Sequence, residues 1–218
     1  MTTPTPKTIK KLYIGISGLI GAGKSTLAAS LAAAMGGKAY FEPVAENPYL
    51  VDFYENMKEN AFKMQIYLLR ERFRQQQQIG LEDGVVIQDR TIYEDSVFSR
   101  MLNGEGKMSN LDLKTYLGFF DTLSSLMPRP NLIVYLDVEP AEALANIKKR
   151  GRACESGVTL HYLTALRNEY EIFIKEVSRI VPVLRVKYSK FPSIQSIVDA
   201  VERGYAASHN IIEAQLKN

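Results

Sequence analysis

The chain has 218 residues, 46% of them hydrophobic, with 27 Lys and Arg against 24 Asp and Glu, a net charge of +3 and a single cysteine. That length suits one domain with a sizeable buried core, and so mild a charge gives no reason to expect nucleic acid or a membrane surface as a partner. The lone Cys154 excludes an internal disulfide and a cysteine zinc site, and His161 and His209 leave little room for imidazole chemistry, so a reducing cytoplasm is the expected compartment.

Residues 1–10 read as a flexible tail, without the apolar segment of a secretory signal or the arginine-rich character of a transit peptide. One domain is expected over residues 11–210, followed by a second tail at 211–218. No stretch is long and apolar enough to span a bilayer as a helix. The first strand is predicted at residues 12–16. It runs into Gly18-Leu19-Ile20-Gly21-Ala22-Gly23-Lys24-Ser25-Thr26, which fits G-x-x-x-x-G-K-[ST]. Glycines allow the tight backbone turn that points successive N–H groups at a phosphate. Lys24 would bring charge to the β- and γ-phosphates, and the Ser25 hydroxyl would ligate Mg²⁺. An alanine-rich helix, residues 27–35, would aim its positive dipole end at the anion. The alternative, a glycine-rich turn with no ligand, fits the strand–loop–helix context less well.

Gly36-Gly37 stops that helix, and a strand at residues 38–41 ends at Glu42-Pro43-Val44. A helix is predicted over residues 56–79, with Phe62, Ile66 and Leu69 on its buried face. Gln65 falls at the edge of that face, and spacing alone makes it a solvated amide. Within the same helix, residues 75–78 are four glutamines, read as the solvated side of the helix. After Glu82-Asp83-Gly84 a strand at 85–88 leads into Asp89-Arg90-Thr91, and helices follow at 92–102 and 111–127. After Pro128-Arg129-Pro130 a strand at 132–136 ends at Asp137, before a helix at 140–149. Lys148-Lys149-Arg150-Gly151-Arg152 comes next, then a helix at 160–181, a strand at 183–186 after Pro182, and a helix at 194–209.

Strand–helix alternation of this kind implies an α/β fold with a five-stranded parallel sheet covered on both faces, and ligands in such sheets sit at the carboxyl ends of the strands. Three acids stand there, Glu42, Asp89 and Asp137. Glu42 could accept a proton from a hydroxyl, Asp89 could help hold Mg²⁺, and Arg90 could clamp a phosphate or the attacking oxygen. The plainer alternative for each acid is a helix cap, and for Glu42 and Asp137 the two readings weigh equally. The basic run either neutralises a helix end or closes over a triphosphate as a lid.

Taken together, the P-loop, Phe41-Glu42-Pro43-Val44, residues 65–72, Asp89-Arg90-Thr91-Ile92-Tyr93-Glu94-Asp95 and Arg150-Gly151-Arg152 with Glu155 resemble the deoxyribonucleoside kinase family, in order and spacing, from about residue 12 to about residue 170. The resemblance implies transfer of phosphate from ATP, with Mg²⁺, to the 5′-hydroxyl of a deoxyribonucleoside. It implies Glu42 as general base with Arg90 beside the transferring group, and Asp89 with Ser25 at the metal. Tyr54 and Glu155 would hold the sugar 3′-hydroxyl. Gln65 would pair with the base, against the spacing argument, with Arg72 and Asp95 flanking it. Arg150 and Arg152 would form the lid over ATP. Where some members carry a further arginine before Arg150, this chain has Asn146. The Asp-Arg-Thr-Ile-Tyr-Glu-Asp string is similar to bacterial-type deoxyadenosine and deoxyguanosine kinases, which favours a purine acceptor and deoxyadenosine over deoxyguanosine. The resemblance also implies a homodimer or larger homo-oligomer, joined through the helices at 56–79 and 111–127. The competing expectations are a deoxycytidine or thymidine kinase, a thymidylate-kinase-like enzyme, which would want extra basic residues near the acidic Glu42 and Glu46, and a GTPase-like switch. The last lacks an Asn-Lys-x-Asp motif.

Overall fold

Lys11–Gly18 forms β1, which is buried from its second residue onward, as a strand covered on both faces must be. This computed structural model describes residues 11–42, 47–187, 193–206 and 211–215. Strand β1 feeds α1 (Lys24–Ala34), which returns the chain to the short β2 (Lys38–Tyr40). Next come α2 (Leu50–Glu55) and the long α3 (Met57–Leu81), begun by Asn56, whose side chain accepts from the Glu59 N–H. Then follow β3 (Gly84–Asp89), a 3-10 turn at Ile92–Glu94, α4 (Asp95–Gly104) and α5 (Asn110–Ser125). The chain continues through β4 (Leu132–Asp137), α6 (Pro140–Arg150), a 3-10 turn at Ala153–Glu155, α7 (Leu160–Val177), β5 (Val183–Lys187) and α8 (Ile194–Ala206).

All five expected strands are present, and they are parallel. A sixth, β6 (Ile211–Gln215), pairs in parallel with β5, so the segment read as a tail beyond residue 210 contributes an edge strand. The order is β2-β3-β1-β4-β5-β6. The strand carrying the P-loop is therefore central, with β3 and its Asp89 on one side and β4 on the other. Ile16 stands opposite Asp89, and Gly18 opposite Leu136. Ile14, Ile16, Ile87, Val134 and Leu136 are fully buried, and such side chains contribute roughly 1.5–3 kcal/mol each relative to exposure.

Three expectations need correction. Helix α2 lay in a stretch given no element. The helix expected to reach residue 181 stops at Val177, short of Pro182. The glutamine run is only half a solvated face: Gln77 and Gln78 are exposed, but Gln76 is fully buried and Gln75 is half-buried. Gln76 accepts from the Ile92 N–H at 3.3 Å and donates to the Pro128 carbonyl at 2.8 Å, tying α3 to the segment after Asp89-Arg90. Residues 1–10, Pro43, Val44, Glu46 and His209 lie outside the described residues.

Candidate active site

The P-loop turns on glycines with positive φ: 143° at Gly18, 81° at Gly21 and 90° at Gly23. A Cβ on Gly21 would stand 2.4 Å from the Ala143 carbonyl oxygen, so α6 rests directly on the loop. Helix α1 starts from Gly23 with no side-chain cap. Its first N–H groups are left for a ligand, as an anion site at a helix N-terminus requires. Lys24 is buried and donates to the Leu19 carbonyl at 2.7 Å. Burial, then Arg90, push its ammonium down to about pKa 8, against the opposing pull of Asp89, Glu94 and Glu42. Gly18, Ala22, Gly23 and Thr26 shape the loop without lining the cavity beside it.

That cavity, of about 300 Å³, is bounded by Gly21, Lys24 and Ser25 on the loop side, and by Glu42, Asp89 and Arg90 at the ends of β2 and β3. Its far wall is Tyr54, Gln65 and Arg72, from α2 and α3, and Arg150, Arg152 and Glu155 cover it. Twelve of the sequence-predicted residues thus meet around one space.

Glu42 is the electrostatic centre. Arg72 donates to its carboxylate, and Arg90 Nε lies 3.2 Å from the other oxygen. Burial alone would raise the carboxyl pKa, but Arg72, Arg90 and Lys24 together outweigh it and leave it below the ordinary value. Glu94 is buried, accepts from Ser17, and lies 3.1 Å from Arg90 Nη1. There burial wins and the pKa is raised. Two carboxyl groups on one guanidinium are thus pushed in opposite directions, because Glu42 has three cations to offset its burial while desolvation dominates at Glu94.

Asp95 is not in the cavity wall. It is fully buried behind Arg72 and paired with it, so it acts on the space only through that guanidinium. Asp137 does not join the site either. Arg185 Nε and Arg167 Nη2 hold it at 2.9 and 3.1 Å, and the α6 cap position is Glu139, so the acid is an ion-pair anchor and neither a cap nor a ligand group. Lys148 and Lys149 are exposed and outside the wall. Arg150 Nη2 reaches both Glu155 oxygens, at 2.6 and 2.7 Å, and Arg152 lies 3.5 Å from one of them. Asn146, in place of an arginine, donates to the Gly21 carbonyl at 3.0 Å.

Sequence reasoning missed Asn47, Phe53, Phe98 and Tyr162 in the wall, and Glu94, Ser17 and Tyr170 behind it. Glu94 stands at i+4 from Arg90, a spacing that signals an ion pair and could have found it. The Tyr170 hydroxyl, which accepts from Arg90, carries no such local signal.

A magnesium ion suits these groups. Ser25 donates to Asp89 Oδ2, and Asp89 Oδ1 is buried with no hydrogen-bond partner among the described residues. A hydroxyl and one carboxylate are hard oxygen donors of the kind Mg²⁺ takes while keeping several waters. No cluster of three or more His, Cys, Asp or Glu that could hold a metal lies among the described residues.

Comparison with known proteins agrees with this geometry. Residues 14–204 match the family described as Deoxynucleoside kinase. The chain is 46% identical over 199 residues to a deoxyadenosine kinase of Dictyostelium discoideum, covering 91% of this chain and 81% of that one. It is 35% identical over 201 residues to a deoxyadenosine/deoxycytidine kinase of Bacillus subtilis, covering 88% and 92%. A solved structure of a deoxyadenosine kinase from M. mycoides with bound dCTP superposes with a TM-score of 0.80 at 32% identity, covering 88% of this chain and all of that one. A P-loop on the central strand, facing a carboxylate held between two arginines, is here matched by sequence over nearly the whole length: the chain belongs to the deoxynucleoside kinase family.

Proposed function

We propose that this kinase transfers the γ-phosphoryl group of ATP to the 5′-hydroxyl of a purine deoxyribonucleoside, deoxyadenosine ahead of deoxyguanosine, in nucleotide salvage. The observation that carries it is Glu42. A partly buried carboxylate held below its ordinary pKa is an ionised proton acceptor at neutral pH, and it opens on the same cavity as the phosphate loop.

The steps divide among the residues. Glu42 takes the proton of the 5′-hydroxyl as the oxygen attacks. Arg90 and Lys24 offset the charge that spreads over the transferring phosphoryl group. Mg²⁺, held by Ser25 and Asp89, would neutralise charge on the phosphate oxygens. Tyr54 and Glu155 orient the sugar, and Arg150 and Arg152 turn to the triphosphate and exclude water.

Gln65 supports an adenine acceptor. It is buried, and its Oε1 has no hydrogen-bond partner among the described residues. A primary amide presents one donor face and one acceptor face, which complements adenine's amino group and ring nitrogen. The higher identity to the Dictyostelium deoxyadenosine kinase (46%) than to the deoxyguanosine kinase of the same organism (34%) points the same way. A nucleoside suits the site better than a monophosphate. Arg72 is paired with Glu42 and Asp95, and Arg90 with Glu42 and Glu94, so carboxylates already balance the positive charge that a second acceptor phosphate would need.

The reading extends to a homo-oligomer joined through α3 and α5. Leu81, Leu111, Phe119 and Leu126 are exposed on or beside these helices, an apolar area that a partner copy would cover. The reading also places the enzyme in the cytoplasm, where ATP for nucleotide salvage would be available; no described helix is long and apolar enough to cross a membrane.

Labelled ATP with Mg²⁺, offered to a panel of deoxyribonucleosides and their monophosphates, tests the proposal. The fastest transfer is expected to deoxyadenosine. Transfer only to monophosphates, or hydrolysis with no acceptor, would overturn it, and a preference for thymidine would remove the purine assignment.

A further inference from the structure

Strand β2 ends at Tyr40, so Phe41 and Glu42 lie beyond the sheet's hydrogen-bond ladder, and Phe41 is itself 46% exposed. The backbone before Glu42 is nevertheless anchored. Gln75 Nε2 donates to the Phe41 carbonyl at 2.8 Å, and Gln88 Nε2 donates to Gln75 Oε1 at 2.8 Å. The Tyr13 hydroxyl donates to Gln88 Oε1, and both Tyr13 and Gln88 are buried in the central strands. The direction of the relay follows from its end. A carbonyl can only accept, so Gln75 must present its amide N–H there and its oxygen to Gln88, and Gln88 in turn must offer its oxygen to Tyr13.

We propose that Gln75 is a positioning residue for Glu42. It couples the loop that carries the proton acceptor to the rigid β1–β3 pair. One turn earlier on α3, Arg72 grips the Glu42 carboxylate, so the helix holds this residue at the side chain through Arg72 and at the adjoining peptide through Gln75. The carboxylate contact alone leaves the backbone free to swing about it. The relay removes that freedom, and misplacing a reacting group by 1 Å can cost about 10²-fold in rate.

The inference rests on Glu42 being the base, and the test separates the two claims. Gln75→Ala, Glu42→Gln, the double variant and a Gln77→Ala control on the exposed side of α3 are compared for kcat, for KM with deoxyadenosine, and for melting temperature. Gln75→Ala is expected to lower kcat about tenfold, within the range for a displaced catalytic group, with little change in KM. That loss is expected to vanish in the Glu42→Gln background, where no base remains to be aimed. If the Ala variant does not fold, Gln75→Met keeps the length and removes the amide. A kcat equal to that of Gln77→Ala, or a full tenfold loss persisting in the Glu42→Gln background, overturns the positioning role while leaving Glu42 as base. A normal kcat in Glu42→Gln overturns both.

Discussion

Arg90 Nε lies 3.2 Å from Glu42 Oε2 while the Arg90 backbone N–H holds the Ile16 carbonyl at 3.0 Å. Arg90 is also the one non-glycine among the described residues with a positive φ, 67°, a conformation that costs an L residue about 1–2 kcal/mol. Its guanidinium is fixed by Glu94 and Tyr170 and lies 4.8 Å from the centre of the Phe98 ring. The surrounding contacts thus impose a strained backbone that delivers a cation and a carboxylate to one spot. Glu42→Gln keeps the shape and removes the proton acceptor. Its kcat is expected to fall roughly 10²–10⁴-fold, the contribution of a positioned base, with nucleoside binding retained in an equilibrium titration. Near-normal turnover would take Glu42 out of that role.

In the proposed function Arg150 serves ATP and Glu155 the sugar, yet they are bonded to each other at 2.6 and 2.7 Å. For Arg150 to serve the triphosphate this contact must loosen, and a sugar hydroxyl arriving at Glu155 would help release it. Groups sharing one contact couple by about 0.5–3 kcal/mol. Arg150→Ala is therefore expected to raise the KM for ATP while tightening or sparing deoxyadenosine binding. In Glu155→Gln the ATP effect of losing Arg150 should be altered. Strict additivity of the two substitutions in both KM values would show the sites to be independent.

The strands and the P-loop could be read from the chain because their signals are local. Apolar runs such as Leu132-Ile133-Val134-Tyr135-Leu136 mark a buried parallel strand, and the loop's glycines occur at fixed spacing. The acids after β2 and β3 could be located by the strand-end rule alone, but the same rule could not decide Asp137, because its partners Arg167 and Arg185 come from α7 and β5, far along the chain. Gln65 reads as solvated from helical periodicity, since periodicity separates inside from outside and cannot distinguish a core from a cavity. Tyr170 and Gln75 escaped for a related reason. Each acts through a contact 80 or 34 residues away that no local pattern encodes. Strand β6 escaped because Ile211-Ile212-Glu213-Ala214-Gln215 is too short and mixed to stand out without the edge of β5 to receive it.

Gly21 offers a test of how closely α6 and the phosphate loop depend on each other. Its φ of 81° and the Ala143 carbonyl 2.4 Å from a built Cβ leave no room for a methyl group. Gly21→Ala is expected to lose about 1–2 kcal/mol from the backbone conformation alone, with the clash in addition. Thermal melting should register the loss, and ATP affinity should fall with it, because displacing α6 moves Arg150. Gly36 is the control: its φ is 64° but a built Cβ meets nothing within 4 Å, so Gly36→Ala should cost only the backbone term and leave ATP binding intact. Equal effects of the two substitutions on ATP affinity would sink the argument.

Asp95 is buried against Arg72, which also grips Glu42, so Asp95 and the proposed proton acceptor share one guanidinium. Asp95→Asn keeps the volume but removes the charge that balances Arg72. Removing one partner of a buried ion pair typically costs about 3–5 kcal/mol, and the Asn amide should recover part of that. The variant is expected to melt earlier and to discriminate less between deoxyadenosine and deoxyguanosine, with ATP affinity little changed. Unchanged selectivity in a folded variant would make Asp95 purely structural.

Lys24 gives the enzyme a pH dependence on the donor side. Burial, then Arg90, lower its pKa to about 8, so without nucleotide about half of the ammonium groups have lost their proton at pH 8 and most above it. A bound triphosphate adds negative charge beside it and favours the protonated form. By linkage, ATP binding is then accompanied by proton uptake just above pH 8, and affinity declines with rising pH by at most about one power of ten per unit. Calorimetric titrations of ATP in buffers of different ionisation enthalpy, between pH 7 and 9.5, measure this directly. Uptake is expected to be near zero at pH 7 and to grow towards pH 9. In Lys24→Arg, whose cation keeps its proton throughout, the uptake should disappear; the same uptake in that variant would assign the proton to another group.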